Sequence, residues 1–196
     1  MKLLHIDAGI TGEGSVSRQV SAAVVQAARD LIPGLQVVRR DLDAQPVPHL
    51  DSRGLATLND DDGGALEEFL DADVIVIGAP MYNFGVPSQL KAWLDRILVA
   101  GKTFRYTAEG PQGLAGGKKV IIASARGGLY APGTPQADLD FHEPYLRAVF
   151  RFIGTDITLV RAEGVAIGPE QRQAALQEAF AAVPAAVAEL GLAQAA

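Results

Sequence analysis

The strongest constraint on the fold is the run Val-Ile-Val-Ile-Gly at residues 74–78, which is apolar at every position. A strand that alternates polar and apolar residues has one face in water, whereas an unbroken apolar strand is typical of a sheet covered on both faces. Shorter apolar runs recur along the chain. We therefore predict five strands, over residues 3–6, 35–38, 74–78, 119–124 and 157–160.

Helical patterns separate these strands. Leu90, Trp93, Leu94 and Ile97 follow one another at the spacing of a helix with a single buried stripe. The other predicted helices cover residues 16–31, 65–70, 139–153 and 170–190, with Pro144 in a first turn. Strands that alternate with helices predict an α/β fold, with a five-stranded parallel sheet and helices on both faces.

Composition narrows the possible functions. The 196 residues are 48% hydrophobic, enough for one core, so we expect a single domain over residues 1–196. The net charge is −6 and the basic residues are scattered, so nucleic-acid binding is not expected. The chain has no cysteine, which excludes disulfides and thiolate chemistry. We expect no metal site, no secretory signal and no membrane span, and hence a cytoplasmic protein.

Ligands of parallel sheets bind beyond the carboxyl ends of the strands, which makes the loops after strands one, three and four the candidates. The first of these loops, residues 8–17, leads into a helix and contains Ser15 and Ser17. Free N–H groups and the helix dipole can hold a phosphate there, and the hydroxyls add donors. The alternative is that Ser15 is only a helix cap and the glycines only form a turn.

The second loop, residues 79–88, carries Met81, Tyr82, Asn83 and Phe84. Several large apolar side chains in one exposed loop favour a flat apolar ligand, or a partner, that covers them. The Asn83 amide is suited to the edge of a heteroaromatic ring. The alternative is that the three large side chains fill core or dimer contacts.

The third loop, residues 124–130, contains Ala125, Arg126, Gly127, Gly128 and Tyr130. Two adjacent glycines can present backbone N–H groups to an electron-rich ring edge. Arg126 either adds positive charge there or forms a salt bridge. Tyr130 is either a hydroxyl that faces a substrate or ordinary packing at the edge of the site.

A phosphate site, an aromatic wall and a row of N–H donors together favour a mononucleotide with a flat ring system. FMN fits better than a free nicotinamide dinucleotide, because the G-x-G-x-x-G fingerprint is absent. Two weaker candidates are interpreted as structural. The acidic residues 60–62 lack the oxygen spacing of a calcium loop, and His142-Glu143 is not expected to be an acid–base pair.

Several motifs occur in an order that is specific when they are taken together. They include Met-Tyr-Asn-Phe at 81–84, Thr-Phe-Arg-Tyr-Thr at 103–107, Arg-Gly-Gly at 126–128, Pro-Tyr-Leu at 144–146 and Ala-Glu-Gly at 162–164. With these motifs the chain resembles the FMN-dependent NADH azoreductases, also called FMN-dependent NADH:quinone oxidoreductases, over nearly its whole length. The resemblance implies a flavodoxin-like fold and a homodimer with FMN near the subunit interface.

The resemblance also implies roles for particular residues. Ser15, Val16 and Ser17 would hold the FMN phosphate, and residues 81–84 would line the isoalloxazine ring. The ring and the ribityl chain would be met from the other side by Ala125, Arg126, Gly127 and Gly128. The family often has serine where this chain has Gly9 and Ala125, and we expect these departures to change FMN affinity rather than abolish binding.

The activity implied by the resemblance has two steps. NADH, or NADPH, passes a hydride to FMN, and a quinone or azo compound then takes two electrons in the same pocket. No side chain is needed as a general acid, since water or Tyr130 could deliver protons. Residues 103–113 are expected to form part of the substrate pocket. The alternatives are a flavodoxin-type one-electron carrier and a flavin-free interaction protein.

Overall fold

The computed structural model describes residues 1–52 and 64–192. Its strands are β1 (Lys2–Asp7), β2 (Gln36–Asp41), β3 (Val74–Pro80), β4 (Phe104–Thr107), β5 (Gly110–Gly113), β6 (Lys119–Arg126) and β7 (Ile157–Glu163). Its α-helices are α1 (Val16–Leu31), α2 (Ala65–Asp71), α3 (Ser88–Ile97), α4 (Glu143–Phe152) and α5 (Pro169–Leu192). Short 3-10 turns cover Gly12–Gly14 and Ala137–Leu139.

Five of the strands form one parallel sheet in the order β2-β1-β3-β6-β7. The chain moves outward from β1 to β2 and then returns to β3 on the other side of β1, which puts the switch point between β1 and β3. Asp7 pairs with Gly78, and Pro80 pairs with Ala125. The carboxyl ends of β1, β3 and β6 therefore lie side by side, and the predicted fold class is confirmed.

Both faces of the sheet are covered by helices. All seven residues of β3 are buried, as its apolar run predicts. On one face Val76 and Ile121 pack against α1 and α5. On the other face Ile75 and Ile77 belong to a core that includes Trp93 of α3 and residues of α2 and α4.

Several element boundaries differ from those predicted; β2, β3 and β7, for instance, continue to Asp41, Pro80 and Glu163. Ala125 and Arg126, which we expected in a loop, are the last two residues of β6. Their backbone pairs with β7 up to the Arg126–Glu163 pair, and this long-range pairing extends the strand. Helix α4 is shorter than predicted and begins at Glu143, with Pro144 in its first turn as expected.

Strands β4 and β5 form a separate antiparallel hairpin. The ring centroids of Phe104 and Phe152 lie 4.8 Å apart, and the Ala115 N–H donates to the Ile153 carbonyl at 2.9 Å. These partners come just before β7, so the hairpin lies near the amino edge of the sheet. Within this chain the hairpin does not lie beside the carboxyl-edge loops, and a role of residues 103–113 in the substrate pocket stays a prediction.

The acidic residues 60–62 lie outside the described part of the chain. Within residues 1–52 and 64–192, no group of three or more His, Asp or Glu side chains is placed to hold a metal ion. In those same ranges, no helix has both the length and the apolarity that crossing a membrane requires.

Candidate functional site

The three loops predicted to carry a ligand begin next to one another. The Ala8 N–H donates to the Gly78 carbonyl at 3.0 Å, which joins the end of β1 to β3. The Met81 N–H donates to the Ala125 carbonyl at 2.8 Å, which joins the end of β3 to β6. The carboxyl edge of the three central strands thus brings together the residues that the sequence singled out.

The first loop delivers two hydroxyls to the start of α1. Ser15 is the N-cap, and its Oγ accepts a hydrogen bond from the Arg18 N–H at 3.4 Å. The Ser15 and Ser17 Oγ atoms lie 3.0 Å apart, and both residues are buried. The N–H groups of Val16 and Ser17 meet no acceptor among the described residues. Ser15 is therefore a cap, as the alternative held, and it also stands beside free donors at the positive end of a helix.

Arg18 supports this loop from behind. Its Nε donates to the Gly9 carbonyl at 2.8 Å, and its two Nη atoms lie 2.5 and 2.6 Å from the Asp41 carboxylate. The hydrogen bonds from Arg18 lower the pKa of Asp41, because they favour its charged form. From helix α5, Arg172 donates to the Gly14 carbonyl at 2.8 Å. Both arginines hold backbone carbonyls of the loop.

The second loop contains a strained turn. Tyr82 and Gly85 exchange two backbone hydrogen bonds of 3.0 Å, and the two residues between them have positive φ, 48° at Asn83 and 69° at Phe84. Positive φ at both central positions defines a type I′ turn, which asparagine tolerates well and phenylalanine does not. Left-handed backbone at a residue with a Cβ costs about 1–2 kcal/mol. Strain of this kind is typical of functional sites.

An open cleft of about 830 Å³ lies between the first and second loops. It is lined by Ile10, Met81, Tyr82, Asn83, Val86 and Gln89, among others. The Tyr82 hydroxyl accepts a hydrogen bond from the Ile10 N–H at 3.2 Å and so connects the two loops. The volume suits a small organic ligand, and the lining joins apolar walls to a few polar groups.

The third loop is fixed through its carbonyl groups. The carbonyls of Arg126, Gly127 and Gly128 accept hydrogen bonds of 2.9–3.1 Å from the N–H groups of residues 164–166. The N–H groups of Gly127 and Gly128 have no acceptor within residues 1–52 and 64–192. The loop therefore has a fixed backbone with two donors free, which is the arrangement that the glycine pair predicts.

The Arg126 side chain does not lie beside the free N–H groups of Gly127 and Gly128. It is only 1% exposed, and its Nη1 lies 2.7 Å from Asp140 while its Nη2 lies 2.9 Å from Glu163. The salt-bridge alternative is thus the correct one for this side chain, and the alternative in which its charge reaches a ligand is wrong. The Arg126 carbonyl is itself bonded to the Val165 N–H.

Sequence reasoning missed the residues that hold the aromatic side chains in place. The Phe141 N–H donates to the Phe84 carbonyl at 3.1 Å, and the Tyr130 N–H donates to Glu163 Oε1 at 2.5 Å. The rings of Phe84 and Tyr130 meet edge to face, with centroids 6.4 Å apart. No local pattern indicates these links, although Glu163 lies in one of the motifs that carry the resemblance.

The pair His142-Glu143 has a structural role, as expected. Burial opposes ionisation of Glu143, but hydrogen bonds from Arg161 and the charge of Arg126 lower its pKa below the usual range. His142 is fully buried, and neither ring nitrogen has a partner among the described residues. Burial lowers the pKa of His142 to about 4, so the ring is neutral near pH 7.

Comparison with known proteins gives concordant matches. A family model described as a flavodoxin-like fold matches residues 1–187. The chain is 59% identical to FMN-dependent NADH:quinone oxidoreductase 1 of Xanthomonas axonopodis pv. citri, covering 92% of this chain and 94% of the relative. It is 56% identical to FMN-dependent NADH:quinone oxidoreductase of Stenotrophomonas maltophilia, covering 94% and 95%.

Solved structures agree with these sequence matches. An FMN-dependent NADH-azoreductase from Bacillus anthracis, solved in complex with FMN, superposes with a TM-score of 0.85 at 29% identity. The superposition covers 97% of this chain and 99% of the azoreductase chain. The predicted flavodoxin-like fold is therefore confirmed.

Proposed function

This chain belongs to the family of FMN-dependent NADH:quinone oxidoreductases, and from that premise we propose that it uses FMN to transfer electrons from NADH to quinones and azo compounds. Bound FMN supplies the redox chemistry, since it can take a hydride from NADH and give two electrons to the acceptor. One observation carries the proposal. A helix N-terminus with two hydroxyls, an aromatic turn and a glycine pair meet at the carboxyl edge of β1, β3 and β6.

The start of α1 fits a phosphate group. Ser15 and Ser17 offer hydroxyls, and Val16 and Ser17 offer free N–H groups at the positive end of the helix. A Cβ on Gly9 would fill the space beside both hydroxyls. Hydrogen bonds and the helix dipole would carry most of the recognition, because Arg18 is engaged with Asp41.

The second and third loops fit the two sides of a flat ring. Met81, Tyr82, Asn83 and Phe84 would line one side, and three of them border the cleft. The Gly127 and Gly128 N–H groups would donate to the polar edge of the ring, where the reduced form carries negative charge. Because the loop carbonyls are tied to residues 164–166, these donors are held in place before the charge develops.

Phe84 and Tyr130, whose rings contact each other edge to face, would together form one wall of the slot in which NADH and the acceptor would stack in turn. Phe84 is 45% exposed and Tyr130 is half-buried, so both rings present apolar surface to a planar compound. The Tyr130 hydroxyl, or water, would supply protons to the reduced acceptor. Positioning by this wall would be the protein's part in the reaction, and no acid–base side chain would be required.

We also propose a homodimer that covers this edge and works in the cytoplasm, where NADH is available. Ile10, Phe84, Phe141 and Ile167 are 45–64% exposed, and three of them belong to or contact the site loops. Apolar side chains exposed together in this way mark an interaction surface. Sedimentation equilibrium should give twice the chain mass of 20.6 kDa, and a monomer at micromolar concentration would contradict the dimer.

An anaerobic titration tests the proposed activity. The protein is loaded with FMN and titrated with NADH while the flavin absorbance is followed, and menadione is then added. We expect stoichiometric bleaching by NADH and full recovery with menadione, followed by many turnovers when both are in excess. Failure to bind FMN would contradict the proposal, and so would FMN binding with bleaching but no catalytic turnover, which would favour a one-electron carrier.

A further inference from the structure

Glu163 links the end of β7 to the third loop through a single oxygen. Its Oε1 accepts a hydrogen bond from the Tyr130 N–H at 2.5 Å and lies 2.9 Å from Nη2 of Arg126. The Glu163 side chain is 19% exposed, and the Arg126 side chain is 1% exposed. The carboxylate is thus oriented by a buried cation and fixes a backbone atom of the loop.

Beyond Gly128, whose carbonyl is bonded to the Gly164 N–H, the loop around Tyr130 has few other anchors. Thr134 Oγ1 donates to the carbonyls of Leu129 and Ala131, and the Thr134 N–H also donates to Ala131. These bonds are local and fold the loop upon itself without connecting it to the sheet. The bond from Tyr130 to Glu163 spans 33 positions of sequence and connects the part of the loop after Gly128 to the end of β7.

Tyr130 in turn completes the aromatic wall. Its ring meets Phe84 edge to face at an interplanar angle of 76°. The backbone of Phe84 is tied through Phe141 to the segment before α4, and Arg126 pairs with Asp140 of that segment. Arg126 is therefore connected to both rings of the wall. Its ion pair with Asp140 connects it to the segment that holds Phe84, and its ion pair with Glu163 connects it to Tyr130.

We infer that Glu163 is a positioning residue for the electron acceptor: by holding Tyr130 through its backbone N–H, it sets the affinity of the slot for the acceptor and leaves FMN binding unchanged. This inference rests on the proposed function, because it takes the slot beside the Phe84–Tyr130 pair as the acceptor site. Glu163 itself touches neither the acceptor nor the phosphate-binding residues of α1.

Three variants of the FMN-loaded protein test this inference. Glu163→Ala removes both the acceptor for Tyr130 N–H and the charge, whereas Glu163→Gln keeps an oxygen acceptor and removes the charge. Glu170→Ala is the matched control, since Glu170 is an exposed acid in the first turn of α5. For each variant the FMN content, the flavin spectrum, and kcat and KM for menadione are measured.

We expect Glu163→Ala to raise the KM for menadione about fivefold, the effect of one lost hydrogen bond, with FMN content and spectrum as in the wild type. Glu163→Gln should restore the KM, because the amide oxygen accepts the same N–H. Equal KM values for Glu163→Ala and Glu170→Ala would overturn the inference. So would an FMN content that falls together with the activity, or a Glu163→Gln variant as impaired as Glu163→Ala.

If Glu163→Ala does not fold, Glu163→Asp replaces it. The shorter side chain keeps the charge near Arg126 but cannot reach the Tyr130 N–H as well, so we expect the same rise in KM. An unchanged KM in that variant overturns the inference. A wild type that binds no FMN or does not reduce menadione contradicts the proposed function instead, whatever the variants show.

Discussion

A Cβ on Gly9 would stand 2.3 Å from the Ser15 hydroxyl oxygen and 3.2 Å from that of Ser17. The missing side chain at position 9 is therefore what lets Ser15 cap α1 with its hydroxyl turned toward Ser17. A serine at position 9 would require the Ser15 hydroxyl to rotate away. Glycine at position 9 thus keeps the space in which the Ser15 hydroxyl caps the helix.

Gly9→Ala is expected to destabilise the protein by about 1 kcal/mol, the value of a lost N-cap, because the Ser15 hydroxyl has to leave Arg18 N–H. Urea unfolding measures the loss. Gly14→Ala is the control, since a Cβ there meets nothing within 4 Å. In a double-mutant cycle with Ser15→Ala the two losses should not add; additive losses would show that the clash does not act through the cap.

The turn at Asn83-Phe84 predicts that glycine gives a more stable protein than alanine at position 84, and that the order is reversed at an ordinary loop position. Phe84→Gly and Phe84→Ala remove the same ring, but glycine adopts the φ of 69° without strain. We expect the glycine variant to be the more stable by about 0.5–1 kcal/mol in urea unfolding. At Leu129, an exposed loop residue without positive φ, alanine should instead be the more stable.

Both Phe84 variants should also bind FMN more weakly than the wild type, because each removes the same part of the aromatic wall. Fluorescence titration with FMN measures the affinity. If the glycine variant is no more stable than the alanine variant, the turn stores no strain. If FMN affinity is unchanged in both, Phe84 is not part of the flavin site.

Sequence patterns were sufficient for the five-stranded sheet and its helices, though not for the β4–β5 hairpin, because they reflect local burial and helical spacing. The apolar run of β3 indicates burial on both faces, and the stripe of Leu90, Trp93 and Ile97 indicates a helix packed on one side. The order of these elements then leaves few topologies open. The end of β6 could not be predicted, because Ala125 and Arg126 are extended through pairing with β7, which is distant in sequence.

The sequence indicated which loops form the candidate site, but not which distant residues hold those loops in place. Ser15 and the glycine pair have side-chain or backbone properties that already suggest a ligand. The fate of Arg126 depends on Asp140 and Glu163, which lie 14 and 37 positions away and meet it only through the tertiary fold. Likewise, asparagine at position 83 suggests a turn, whereas the left-handed backbone of Phe84 has no signal in the residue type.

Gly127→Val is expected to abolish FMN retention. A Cβ at Gly127 would lie 3.3 Å from the Ala166 Cβ, so a branched side chain has to push residues 164–166 away from the loop carbonyls that they hold. The free N–H donors of the loop then lose their fixed positions. The ratio of flavin to protein absorbance after purification measures the loss, and a full complement of FMN would show that the loop is wrongly placed.

Gly168→Val serves as the control for that experiment. A Cβ at Gly168 meets nothing within 4 Å, and its φ is not in the left-handed region. The same increase in side-chain size should therefore leave FMN content unchanged. Comparable flavin loss in both variants would show that Gly127→Val acts by general destabilisation and not by displacing the N–H groups of Gly127 and Gly128.

His142 is expected to make the protein sensitive to acid in a defined interval. Its ordinary pKa of 6.5 falls to about 4 in the folded protein, because burial disfavours the charged ring. Above pH 6.5 the ring is neutral in both states and the stability is complete. As the pH falls from 6.5 to 4, only the unfolded chain takes up the proton, so stability is lost across that interval, by about 3 kcal/mol at most.

The variant His142→Gln isolates this effect, since its amide does not titrate. Urea unfolding of both proteins at saturating FMN, at intervals from pH 7 to pH 4, gives the difference in unfolding free energy at each pH. We expect the unfolding free energy of the wild type to fall more steeply than that of the variant between pH 6.5 and pH 4. Above pH 6.5 the two curves of unfolding free energy against pH should have the same slope. Parallel curves throughout would mean that the buried ring finds a partner for its proton, which the unpaired Nδ1 and Nε2 of His142 argue against.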